Sequence, residues 1–230
     1  MKLLVATVAT VTALGVPSVA QAATLTAEPS LPCYREMESV FLPGAGFTPN
    51  AQVNFSRDGA ALQADPPIVA DAAGGVSATL TLPGLLSGER TLSYLATDSA
   101  NPANTAQLDL LVTATKVSLS PKQGQPERVL RIRARGFFGG GKNLWAHVVR
   151  SGRRKARNLK IGRIKGACKR VKARRRVFSA SAPSGSYRVQ FDAFKRYRKD
   201  REVKDVYNVT ITRTVRPAAA AAAPTWRRIG

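Results

Sequence analysis

Gly136-Phe137-Phe138-Gly139-Gly140-Gly141-Lys142-Asn143 comes within one residue of a phosphate-cradling P-loop. Such a loop needs Ser or Thr after the lysine to hold Mg²⁺, and a helix whose first amides point at the phosphate. Here Asn143 takes that place and a strand-like run follows, so the glycines read as a turn. His147 is the only histidine and stands in an alternating run between Trp145 and Val149. No cysteine cluster lies beside it to complete a metal site. If Leu144, Ala146 and Val148 point inward, His147 lies on the outer face with Trp145, in a surface or interface position. Serines are frequent, yet no Gly-x-Ser-x-Gly elbow occurs and no neighbour in the sequence orients His147 as a base. Asp58, Asp65, Asp71, Asp98 and Asp109 are scattered among turns and strand ends, where local side-chain hydrogen bonds suit them. A Ca²⁺ site needs several converging oxygens, and no compact acidic loop provides them. Two carboxylates could flank a glycosidic bond, but linear order pairs none of them. Asn54-Phe55-Ser56 and Asn208-Val209-Thr210 have the form of glycosylation acceptors. The expectation is a protein without catalytic residues, metal or cofactor.

Charge is the stronger signal. The chain carries a formal net charge of +22, and its two halves differ in sign. Residues 24–115 hold three basic and nine acidic side chains, a net of −6, whereas residues 116–216 hold thirty and five, a net of +25. Lys and Arg are almost never fully buried without partners, so the basic half must face water, a polyanion or the acidic half. The acidic half offsets at most about a quarter of the excess. Between Arg150 and Arg176 no acidic residue interrupts the run of cations. Within it Arg153, Arg154, Lys155, Arg157, Lys169, Arg170, Arg174, Arg175 and Arg176 are the side chains expected to contact an anionic partner. A second cluster, Lys195 to Arg201, is tempered by Asp200 and Glu202 and reads as a hairpin or loop. The aromatics near these clusters (Phe178, Tyr187, Phe194, Tyr197) fall at strand spacing, as core or sheet-face residues do.

The elements that position these side chains are short runs of period two, separated by Gly, Pro, Asn or Asp. Val76, Ala78, Leu80 and Leu82 share one face of a strand, and Ser77, Thr79 and Thr81 the other. Leu130, Ile132 and Ala134 alternate with Arg131, Arg133 and Arg135, as a sheet with one wet face requires. The halves repeat each other. Gly46-Phe47 and Gly136-Phe137 are 90 positions apart, Ser87-Gly88 and Ser184-Gly185 are 97 apart, and an insertion of about seven residues accounts for the difference. Six or seven strands in about 95 residues fits a β-sandwich of immunoglobulin size. The predicted fold is all-β, two tandem immunoglobulin-like β-sandwiches after a cleaved signal peptide: 1–22 signal, 23–115 acidic domain, 116–216 basic domain, and 217–230 a flexible Ala/Pro-rich tail.

The strand into Gly44-Ala45-Gly46-Phe47, with Pro49, Val53, Phe55 and the closing Asp58-Gly59, resembles the Ig-like modules of secreted bacterial proteins. The resemblance covers both halves, the second more divergent. It implies a sandwich fold and an adhesive, spacer or ligand-binding unit without catalysis. The layout is also similar to that of the enediyne-carrying chromoproteins, which hold paired cysteines within one domain; neither half here has two.

Lys2, the apolar run Leu3–Val16, Pro17 and the site Ala20-Gln21-Ala22 form a Sec-type signal pattern. The run is too short to cross about 30 Å of hydrocarbon, so an exported, soluble or surface-associated protein is expected. Cys33 and Cys168, the only cysteines, lie in opposite halves. They form a disulfide between the domains, remain free thiols, or pair between chains. The functional expectation is binding of an anionic polymer (a wall polymer, acidic polysaccharide or extracellular DNA) or an anionic lipid surface through a cationic face. The alternatives are a small-molecule carrier and a spacer with an inert charged surface.

Overall fold

The computed structural model describes residues 22–153, 155–212 and 224–228, all strand and loop. The signal segment, Ala22 apart, and most of the 217–230 tail lie outside the described residues. No described helix is long and apolar enough to cross a membrane.

The first domain contains β1 (Thr24–Leu25), β2 (Tyr34–Arg35), β3 (Ser39–Ala45), β4 (Val53–Arg57), β5 (Ala60–Leu62), β6 (Val76–Thr81), β7 (Glu89–Asp98) and β8 (Thr105–Thr113). One sheet has the order β1-β3-β6 and the other β2-β8-β7-β4-β5. The second domain contains β9 (Lys116–Ser120), β10 (Val129–Arg135), β11 (Asn143–Arg150), β12 (Arg157–Arg163), β13 (Val171–Arg176), β14 (Gly185–Asp192), β15 (Asp205–Ile211) and β16 (Pro224–Arg228). Its sheets run β13-β10-β9 and β12-β11-β14-β15-β16. The two domains therefore share one layout, three strands facing five, which is the immunoglobulin-like sandwich. Their alternating apolar residues meet in two separate cores, one around Leu42, Phe47 and Leu92 and one around Ile132, Phe137 and Phe191.

The duplicated Gly-Phe pair occupies equivalent turns. Gly46 and Gly136 have φ of 83° and 75°, and Phe47 and Phe137 are buried. At Gly136 the requirement is also steric, because a Cβ would lie 2.5 Å from the carbonyl oxygen of Ala114. The glycine-rich loop after it joins β10 to β11, with no helix to present amides to a phosphate. The extra residues of the second copy lie in a longer hairpin, β11–β12, where the first copy has the short β4–β5.

One slot is filled differently in the two copies. Beside β8 lies β2, parallel to it; beside β15 lies β16, antiparallel. The last strand comes from the segment read in the sequence as part of a flexible tail, and that reading is corrected at Pro224–Arg228. Its anchors are specific. Trp226 is buried against Phe178 and Tyr207, with ring centroids 5.8 and 6.0 Å away. Arg228 Nε donates to the buried Asp205 at 3.2 Å. Burial pushes the Asp205 carboxyl up, against the amide of Val117 at 2.6 Å and the charge of Arg228. A neutral Ala run gave no hint of these contacts, which depend on what the other four strands leave uncovered.

Cys33 and Cys168 are joined in a disulfide that ties the two domains together. Around it Glu36 accepts from the amides of Leu85 and Thr115, both at 2.8 Å, and Lys116 Nζ donates to the Leu86 carbonyl at 2.8 Å.

Candidate polyanion-binding surface

The three-stranded sheet of the basic domain turns Leu130, Ile132 and Ala134 inward. Alternation then sends Arg131, Arg133 and Arg135 outward. On the neighbouring strand Val171 is buried, and Lys172, Arg174 and Arg176 take the outward parity. The register sets Arg131 opposite Arg174 and Arg133 opposite Lys172, with Arg176 closing the row opposite Val129. β9 adds Ser118 and Ser120 to the same face. None of the three strands contains an acidic residue. The result is a ladder of five exposed cations, Arg131, Arg133, Lys172, Arg174 and Arg176. Cross-strand neighbours stand about 4.8 Å apart and successive rungs about 6.8 Å apart. Like charges placed opposite each other in a sheet are destabilising, so the ladder works against the fold that carries it.

At the end nearest the first domain the cations are neutralised internally. Glu89 accepts two hydrogen bonds from Arg170, one of them from Nε at 2.7 Å. The hydrogen bond and charge of Arg170, with further help from Arg135, hold the Glu89 carboxyl below its ordinary range against the effect of burial. Arg35 and Glu202 form a second ion pair across the domains. Among the described residues the ion pairs between the domains thus engage Arg170, next to the ladder, and none of the five ladder cations.

The nine side chains singled out from the sequence are dispersed by this geometry. Arg174 and Arg176 belong to the ladder. Arg175 has the parity of the buried Leu130 opposite it but is exposed beyond the end of the core. Arg170 forms an ion pair with Glu89 of the first domain. Lys169 stands beside the interdomain disulfide with Nζ 6.0 Å from the Phe138 ring. Arg157 donates to the Val177 carbonyl and so braces β12 against the chain that leaves β13. Arg153 and Lys155 sit at the tip of the β11–β12 hairpin, on the other sheet, and Arg154 lies outside the described residues. Arg131 and Arg133, absent from that set, are the centre of the ladder. Their alternation with Leu130 and Ile132 was the signal for them, and a search for dense cation runs passes over it.

His147 shows a different departure. It has outer-face parity, as its spacing predicts, but is fully buried. The loop from Ala193 to Lys204 folds across that face and puts Tyr197 beside the imidazole, 5.7 Å between ring centroids. Nε2 lies 3.1 Å from Asp192 Oδ1 and Nδ1 2.7 Å from Asn158 Oδ1. Both ring nitrogens face oxygen, a pattern that the doubly protonated ring satisfies as a donor on each side. Burial works against that charge, but the hydrogen bonds the imidazole donates to Asp192 and Asn158 prevail and raise it above its ordinary pKa. Gln190 Nε2 completes the latch by donating to Asp192 at 2.8 Å and to the Arg198 carbonyl at 2.7 Å. Among the described residues no group of His, Cys, Asp and Glu is arranged to hold a metal.

Fold and surface together define a two-domain immunoglobulin-like β-sandwich protein with a cationic second domain. No protein-family model matches the sequence, and no curated protein matches it. Among solved structures the chain is similar to the human OSCAR ligand-binding domain, at 16% identity and a TM-score of 0.29, over 91% of this chain and 98% of that one. It is also similar to fibronectin(III)-like modules of Clostridium thermocellum CbhA, at 14% identity and a TM-score of 0.25, over 89% and 92%. Latent PorU from Porphyromonas gingivalis matches at 14% identity and a TM-score of 0.29, over 92% of this chain and 21% of that chain.

Proposed function

We propose that the chain is an exported, non-catalytic binding protein whose second domain holds a linear anionic polymer of the cell envelope along the β10–β13 face. The observation that carries this reading is the pairing of Arg131 with Arg174 and Arg133 with Lys172 in a sheet face whose strands hold no carboxylate. Five cations at rungs of about 6.8 Å match a polymer with a repeated phosphate or sulfate better than a single small anion. The strands carry no aromatic residue, so base stacking would contribute nothing and the contacts are electrostatic. Released counterions would then provide much of the driving force, and binding weakens steeply with salt. The acidic domain acts as a rigid partner, disulfide-linked and ion-paired at the near end, that leaves the far end open.

The test is retention of the full mature chain on isolated cell envelope and on an anionic matrix across a salt gradient. A variant carrying Arg131→Gln, Arg133→Gln, Arg174→Gln and Arg176→Gln should elute at markedly lower salt. Equal retention of the two proteins rejects the proposal.

A further inference from the structure

The opposite face of the same domain holds a second cationic feature of a different shape. Arg188 projects from the outer face of β14. Strand register places it in one cross-strand row with Val149 of β11, Asn208 of β15 and Arg227 of β16. This row lies just beyond the edge of the loop that covers His147 and Gln190. Tyr197 and Lys199 of that loop form one wall of a groove, and Ser151, Gly152 and Arg153 at the tip of the β11–β12 hairpin form another. The groove has a volume of about 620 Å³, within the roughly 300–1,000 Å³ of small-ligand sites. Among the described residues no acidic side chain lines it. Arg188 lines the groove, and its Nε is buried with no hydrogen-bond partner among the described residues, a costly state for a charged donor.

We infer that this groove binds an acidic sugar unit of an oligosaccharide, with the carboxylate held between Arg188 and Arg227 and the sugar ring against Tyr197. Arg188 and Arg227 are two strands apart, about 9.6 Å at the backbone, so their planar forks can converge on one carboxylate from both sides. Ser151, Ser186, Asn208 and Thr210 line the groove with hydroxyl and amide groups that suit sugar hydroxyls. The ladder on the other sheet borders a smaller hollow of about 380 Å³ whose lining, Arg131, Ile132, Arg133, Lys172, Ala173 and Arg174, has no aromatic wall and no hydroxyl, and it fits a polymer backbone. The groove combines one aromatic wall, neutral hydrogen-bonding groups and five cations, Arg150, Arg153, Arg188, Lys199 and Arg227, of which Arg188 and Arg227 share the central cross-strand row, and it fits an acidic sugar unit whose carboxylate meets that pair. Arg227 reaches the site only because β16 fills the sheet's last position. The assignment is independent of the ladder.

Titration of the isotopically labelled mature chain with tetragalacturonate tests it. Saturable binding with amide shifts centred on Gly152, Arg188 and Asn208 is expected. Combining Arg188→Gln with Arg227→Gln should weaken affinity by about tenfold or more, as loss of charge-assisted hydrogen bonds to a carboxylate does. Tyr197→Ala should weaken it as well. Three results would overturn the inference: equal binding of the methyl-esterified oligosaccharide, shifts confined to β10 and β13, or an unweakened double variant with wild-type near-ultraviolet circular dichroism. Inorganic sulfate binding as tightly as the tetrasaccharide would also overturn it, since the groove would then select charge and not sugar.

Discussion

Removing the central rung of the ladder, Arg131→Gln with Arg174→Gln, should move stability and binding in opposite directions. The two residues are directly opposite in the β10–β13 register, with side chains about 5 Å apart at their bases. Two unit charges at that distance in water repel by about 0.8 kcal/mol, and physiological salt, with a Debye length of about 8 Å, reduces this to about 0.4 kcal/mol. The double variant should therefore be as stable as wild type or slightly more stable in urea. Binding responds in the opposite sense. Each cation engaged on a single-stranded phosphodiester contributes about 0.7 to the slope of log affinity against log salt, so losing two lowers the slope by about 1.4. Fluorescence anisotropy of a labelled oligothymidylate, used as a phosphodiester probe over about 0.05–0.2 M NaCl, reads that slope directly. An unchanged slope would mean that the ladder is an inert solvated face. A clear loss of stability would mean that the guanidinium groups serve the fold, and the functional argument from like-charge pairing would lose its basis.

Three further outcomes follow from the packing. Trp226→Ala removes a buried side chain that plugs the β15–β16 edge; it should cost about 3–5 kcal/mol and lower the melting temperature by about 10 °C, and a change below about 1 kcal/mol would show that β16 does not seal the core. Replacing both Cys33 and Cys168 by Ser opens a crosslink of sequence separation 135; chain entropy puts the upper limit of the loss at about 5 kcal/mol, and denaturant unfolding should show the two domains uncoupling, whereas a single unshifted transition would contradict it. His147 has a folded-state pKa raised above 6.5, so its contribution is fully present below pH 6.5 and is lost as pH rises through the folded value. Urea midpoints should accordingly fall from mildly acid to alkaline pH, and His147→Gln should flatten that dependence; an identical slope in the variant would place the titration elsewhere.

Much of the architecture is legible along the chain because its signals are local. Alternation at Leu130–Arg135 marks a half-wet strand whatever its partner, and the recurrence of Gly-Phe at 46–47 and 136–137 marks the same turn twice. The candidate surface is legible only in part. Arg174 and Arg176 stand out in a dense basic run, but Arg131 and Arg133, dispersed among aliphatics, do not. Arg170 looks like its neighbours in the sequence, yet Glu89 of the other domain neutralises it. His147 has the spacing of an exposed residue, and a loop some fifty positions later buries it.

The sequence alone fixed the sign of each half, the strand content and the duplication, because charge and period-two patterning are properties of neighbouring residues. Tertiary structure alone decided which cations share a face, which are cancelled, and that the last five described residues complete a sheet. In the ladder, strand register joins positions about forty residues apart through backbone hydrogen bonds. No local pattern encodes that choice, and only the packed cores of the two sandwiches select it.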